Sequence, residues 1–130
     1  MKKLIFLLMA VLMLTSCGQA KENNREAVYV NITAEEAKEI MDREASYVLI
    51  DARTQSEYDA GHIPGAILMP ETEVTSRAES EIPDKDTLIL VYCRSGRRSK
   101  IAAEALVELG YTNVYEFGGI IDWEYETVTE

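Results

Sequence analysis

Cys93 heads the run Cys93-Arg94-Ser95-Gly96-Arg97-Arg98-Ser99-Lys100, a thiol followed by four cations with no carboxylate nearby in the sequence. The thiolate is the nucleophilic form of cysteine, and neighbouring cations and a helix N-terminus both favour it. Ahead of Cys93, the segment Leu88-Ile89-Leu90-Val91-Tyr92 is short, apolar and uncharged, which predicts a fully buried strand. Behind it, Ile101, Ala102, Ala105, Leu106 and Leu109 recur at helical spacing, so a helix is expected over Lys100 to Leu109. The cysteine therefore falls where a strand ends and a helix begins. Free backbone N–H groups and the helix dipole favour an anion there. Cys93 is expected to be the nucleophile, and Arg94, Ser95, Gly96, Arg97, Arg98 and Ser99 to surround an anionic substrate. At least one arginine should contact that anion. Gly96 supplies a tight turn, and Ser99 either donates to the substrate or caps the helix.

The remaining elements must hold this loop in place. Val28 to Ile32 alternates as a strand, and Thr33 with Glu36 forms a capping box that opens a helix through about Arg43. Tyr47 to Ile50 reads as a buried strand ending at Asp51. Ser56 to Ala60 predicts a helical turn, Gly61 to Gly65 a loop, and Ala66 to Met69 a short apolar run. Glu71 to Glu81 is polar with weak helical spacing, and Pro83 to Asp86 is a turn. Gly110 closes the later helix, and Val114 to Phe117 is the last strand. Strands alternating with helical segments predict an α/β domain over residues 28–130, with a parallel sheet covered on both faces. Ligands in such folds sit at the carboxyl ends of strands, where Cys93 is expected.

The whole chain carries a formal charge of −10, which argues against general affinity for nucleic acid. The cationic loop stands out against that background and should focus a small anion. One histidine and two cysteines offer no metal cluster of recognisable spacing, and the chemistry calls for no metal or cofactor.

Lys2 and Lys3 precede the apolar run Leu4 to Leu14, eleven residues long and too short to span a bilayer. Residues 1–16 are expected to be an export signal. Leu14-Thr15-Ser16-Cys17 resembles a bacterial lipobox, which implies lipidation of Cys17, a polar tether over 17–27 and an extracytoplasmic protein held to the membrane by lipid alone. Ordinary signal cleavage and an uncleaved anchor are the alternatives. Loss of Lys2 and Lys3 leaves 11 basic against 23 acidic residues, a charge of −12. A lipidated Cys17 makes Cys93 the only free thiol, whereas a Cys17–Cys93 disulfide would need the tether to dock on the loop.

Asp51-Ala52-Arg53 with Glu57 and Tyr58, Gly61-His62-Ile63-Pro64-Gly65-Ala66, the Cys93–Ser99 loop, and Gly118-Gly119 with Trp123 together make the chain resemble a single-domain rhodanese. The resemblance implies a three-layer sandwich around a five-stranded, mainly parallel sheet. It also implies a monomeric sulfurtransferase that takes sulfur from a donor such as thiosulfate, holds it as a Cys93 persulfide and passes it to a thiol, an acceptor protein or cyanide. By that pattern His62 belongs to a structural loop, Asp51 and Arg53 form a scaffold, and Trp123 packs. Two alternatives remain: a cysteine phosphatase or arsenate reductase of similar fold, and a persulfide or redox-sensing module without turnover. The phosphatase loop places arginine six residues after the cysteine, where this chain has Ser99, with Arg98 one residue early.

Overall fold

The computed structural model describes residues 28–130. The expected signal 1–16, the lipidation site Cys17 and the tether 17–27 lie outside the described residues. In chain order the elements are β1 (Val30–Asn31), α1 (Ala34–Arg43), β2 (Val48–Asp51), α2 (Gln55–Ala60), β3 (Ile67–Leu68), α3 (Val74–Glu81), β4 (Ile89–Cys93), α4 (Arg97–Glu108) and β5 (Val114–Gly119). Short 3₁₀ turns occupy Glu71–Glu73 and Ile120–Asp122. The five strands form one sheet in the order β1-β5-β4-β2-β3, and every pairing is parallel.

β4 sits at the centre and is buried on both faces. Ile89, Val91 and Cys93 pack against Val74 and Ala78 of α3 and Ala102, Ala103 and Leu106 of α4. Leu90 and Tyr92 face the other way, toward Ala37 of α1, Ile63 and Phe117. Period-two alternation along one strand thus feeds two cores, which makes the three layers.

Several expectations are corrected. The first strand pairs only over Val30–Asn31, because β1 is an edge with β5 as its one partner and Val28 is exposed. The weak helical spacing of Glu71–Glu81, by contrast, is borne out, as a 3₁₀ turn over Glu71–Glu73 followed by α3. Val74, Ala78 and Ile82 supply a single inward stripe, and the remaining positions carry solvent pairs such as Arg77–Glu81. α4 begins at Arg97, three residues before Lys100, because Gly96 adopts φ +109°, a left-handed conformation that turns the chain straight into the helix.

Asp51 and Arg53 form a buried ion pair at 2.7 Å. The Tyr92 hydroxyl donates to Asp51 at 2.6 Å and accepts from the Ile63 backbone N–H at 3.1 Å, tying the ends of β2 and β4 to the glycine-rich loop. His62 stacks on Tyr58 with ring centroids 3.7 Å apart, and its Nδ1 lies 2.9 Å from the Tyr58 carbonyl. Its surroundings are those of a packed loop residue. Trp123 packs on Phe117, as its expected role requires.

Candidate active site

β4 ends at Cys93, the one free cysteine among the described residues, and leaves it 1% exposed at the floor of the loop. α4 has no capping side chain, so its first-turn N–H groups remain available to an anion. The Gly96 N–H donates to Cys93 Sγ at 3.0 Å, and the thiol donates to Ser99 Oγ at 3.3 Å. Burial pushes the Cys93 thiol up. Hydrogen bonds from the Ser99 hydroxyl and from the backbone N–H groups of Ser99, Gly96 and Ser95 outweigh it, so the thiol lies below its ordinary value. The sulfur is thus built to be an anion by the Ser99 hydroxyl and the loop backbone.

Arg94, Ser95, Arg97 and Lys100 are exposed around this floor, while Gly96 and Ser99 are buried beneath them. Arg98 is placed differently. Its guanidinium donates two bonds to Glu57, at 2.7 and 2.9 Å, joining the first turn of α4 to α2. Those bonds are the largest cause holding the Glu57 carboxyl down at about 2, with bonds from the Thr54 N–H and hydroxyl adding to them. The reading of four cations without a carboxylate nearby is therefore corrected, because the fold brings Glu57 to Arg98 from 41 positions away. Ser99 is corrected as well. It lies inside α4 rather than at its cap, and its Oγ is 2.7 Å from Glu116 Oε1, 3.0 Å from the Gly96 carbonyl and 3.3 Å from the Gly118 carbonyl.

Glu116, wholly buried beneath the loop, is the residue that pattern reading passes over. Its signal was present: it shares the inward phase of β5 with Val114, an acid where alternation calls for an apolar side chain. The same strand braces the loop from below. β4 and β5 pair Val91 with Glu116 but Cys93 with Gly119, so β5 carries one extra residue at a bulge. A Cβ on Gly119 would stand 1.9 Å from the Arg94 carbonyl oxygen, and the Ile121 N–H donates to that carbonyl at 3.3 Å. The loop and the end of β5 are therefore one tightly packed unit, suited to hold a nucleophilic sulfur under converging N–H donors and a cationic rim.

A family model described as a rhodanese-like domain matches residues 33–126. Among curated relatives, the thiosulfate sulfurtransferase PspE of Escherichia coli K12 is 44% identical over 73 residues, spanning 56% of this chain and 70% of that protein. The putative sulfur carrier protein YrkF of Bacillus subtilis 168 is 32% identical over 111 residues, spanning 85% of this chain and 58% of that protein. Among solved structures, a rhodanese with anions from E. coli superposes with a TM-score of 0.62 at 39% identity, covering 65% of this chain and all of that one. With the all-parallel sheet and the cysteine loop at its carboxyl edge, these matches establish that the chain belongs to the rhodanese-like domain family.

Proposed function

We propose that the protein is a sulfurtransferase that carries a sulfane sulfur on Cys93. The observation that carries this reading is the floor of the loop, where N–H donors and the Ser99 hydroxyl converge on one sulfur whose thiol they hold below its ordinary value. The thiolate attacks the outer sulfur of a donor such as thiosulfate. A Cys93 S–S bond forms, the donor's S–S bond breaks, and sulfite leaves with the electron pair. Exposed Arg94 and Arg97 and the N-terminus of α4 favour that developing anion. A thiolate or cyanide then attacks the outer sulfur, and Cys93 departs as thiolate. The sulfur-transferring relatives support this reading. So does Ser99, standing where a phosphatase loop needs its arginine, and so does the engagement of Arg98 with Glu57.

Mass spectrometry of the protein treated with thiosulfate after reduction tests the reading. One added sulfur on Cys93, removed by cyanide or a thiol and absent in C93S, is expected; an unmodified Cys93 overturns it. The protein is further proposed to act outside the cytoplasm as a lipoprotein, on the strength of residues 1–17. Fatty-acid labelling should then be lost in C17A.

A further inference from the structure

Among the described residues, Lys38, Arg43, Arg53, Arg77, Lys85 and Arg98 each hold a carboxylate in an ion pair. Arg94, Arg97 and Lys100 are exposed cations outside those pairs, and all of them stand at the mouth of the Cys93 loop. The uncompensated positive charge of the described fold is thus gathered around one buried sulfur. Two aliphatic side chains flank it without joining either core: Ile121, 63% exposed, and Ile101, 42% exposed. Ile121 is held beside the loop by its N–H bond to the Arg94 carbonyl at 3.3 Å. Ile101 lies one turn along α4 from Arg97, on the same side of the helix. Beyond them the surface turns acidic, with Asp122 next to Ile121 and Glu104 one turn past Lys100, both exposed.

We propose that the sulfur acceptor is a cysteine of a polypeptide whose flanking residues combine acidic and aliphatic side chains. Its acids dock on Arg94, Arg97 and Lys100, and its aliphatic groups on Ile121 and Ile101. A small anionic donor uses the cations alone. The isoleucines gain by burial only beneath a larger partner, and Cys93 is 1% exposed, so whatever carries the acceptor sulfur must cover the mouth as that sulfur enters. The acidic surroundings sharpen the choice. On a chain of net charge −10, acids placed away from the partner's cysteine are repelled, and only those beside it meet cations. The docked cysteine attacks as thiolate. A bond forms between its sulfur and the outer sulfur held on Cys93, the Cys93 S–S bond breaks, and Cys93 leaves with the electron pair as thiolate. The partner departs as a persulfide.

The proposal rests on the sulfurtransferase reading, and its test separates the two. The full-length chain is loaded from thiosulfate, freed of donor and mixed with one of four thiols at equal thiolate concentration. Three are synthetic peptides with a single cysteine, flanked by aspartate and leucine, by aspartate and serine, or by lysine and leucine; the fourth is glutathione. Mass spectrometry follows the loss of sulfur from Cys93. The aspartate–leucine peptide should unload it about tenfold faster than each of the others, the worth of burying one aliphatic side chain or more. Its advantage over the lysine peptide should shrink as salt is raised. I121S and I101S, which alter exposed side chains and keep the backbone bonds, should each reduce its advantage over the serine peptide. Loading by thiosulfate and unloading by cyanide should stay unchanged in both. A protein that loads but yields its sulfur equally to all four thiols, or whose preference survives both substitutions, overturns the acceptor inference alone. A protein that does not load removes the sulfurtransferase reading, and the acceptor inference falls with it.

Discussion

At the scale of single residues, Cys93 owes its character to bonds that a substitution can remove one at a time. The Ser99 hydroxyl is the largest of the influences that lower the thiol, so S99A should move the thiolate midpoint upward. The sign follows from the chemistry: a group that hydrogen-bonds the anion favours it, and its loss defers ionisation to higher pH. The rate of iodoacetamide alkylation against pH measures the midpoint, and an unchanged profile in S99A would contradict this account. Cys93 and its cationic surroundings were legible in the sequence because local order along the chain encodes them. The partners of Ser99 and Arg98 were not. Glu116 is 17 positions from Ser99 and Glu57 is 41 from Arg98, so only the pairing of strands and the seating of α2 bring them together.

At the scale of elements, α2 and α4 are joined by the Glu57–Arg98 pair, and β5 is joined to the loop through Gly119. E57Q should cost about 1 kcal/mol, as for a partly exposed ion pair of good geometry. Glu57 is held at about 2, below its unfolded value of roughly 4.3. Its contribution is therefore complete above the unfolded value and fades as pH falls toward 2. Thermal unfolding of wild type and E57Q should accordingly converge over that acid range and differ at neutral pH. G119A tests the other joint. A Cβ there meets the Arg94 backbone at a separation no contact tolerates, so the loop must shift. A displacement near 1 Å is expected to lower sulfur transfer about 100-fold. Circular dichroism should meanwhile show the sheet and helices intact. The strands around these joints were evident from apolar runs such as Leu88–Tyr92, whereas the helix over Val74–Glu81 showed only two inward residues, Val74 and Ala78, against a polar background.

At the scale of the whole molecule, two cores separated by the sheet are pinned at its carboxyl edge by Asp51, Arg53 and Tyr92. D51N leaves a buried guanidinium without its counter-ion and should cost about 3–5 kcal/mol. Urea unfolding should show it as a lower midpoint with an unchanged slope. The strand order adds a mechanical consequence. β1 is held in the sheet by β5 alone, through Val30 opposite Tyr115, Asn31 opposite Glu116 and the Ile32 N–H on the Glu116 carbonyl. Asn31 also bonds the carboxyl that Ser99 shares with the thiol. A pull applied at residue 28 therefore loads the one strand whose departure strips a donor from Glu116. The chemistry of the sulfur is wired to the tension at that end of the fold.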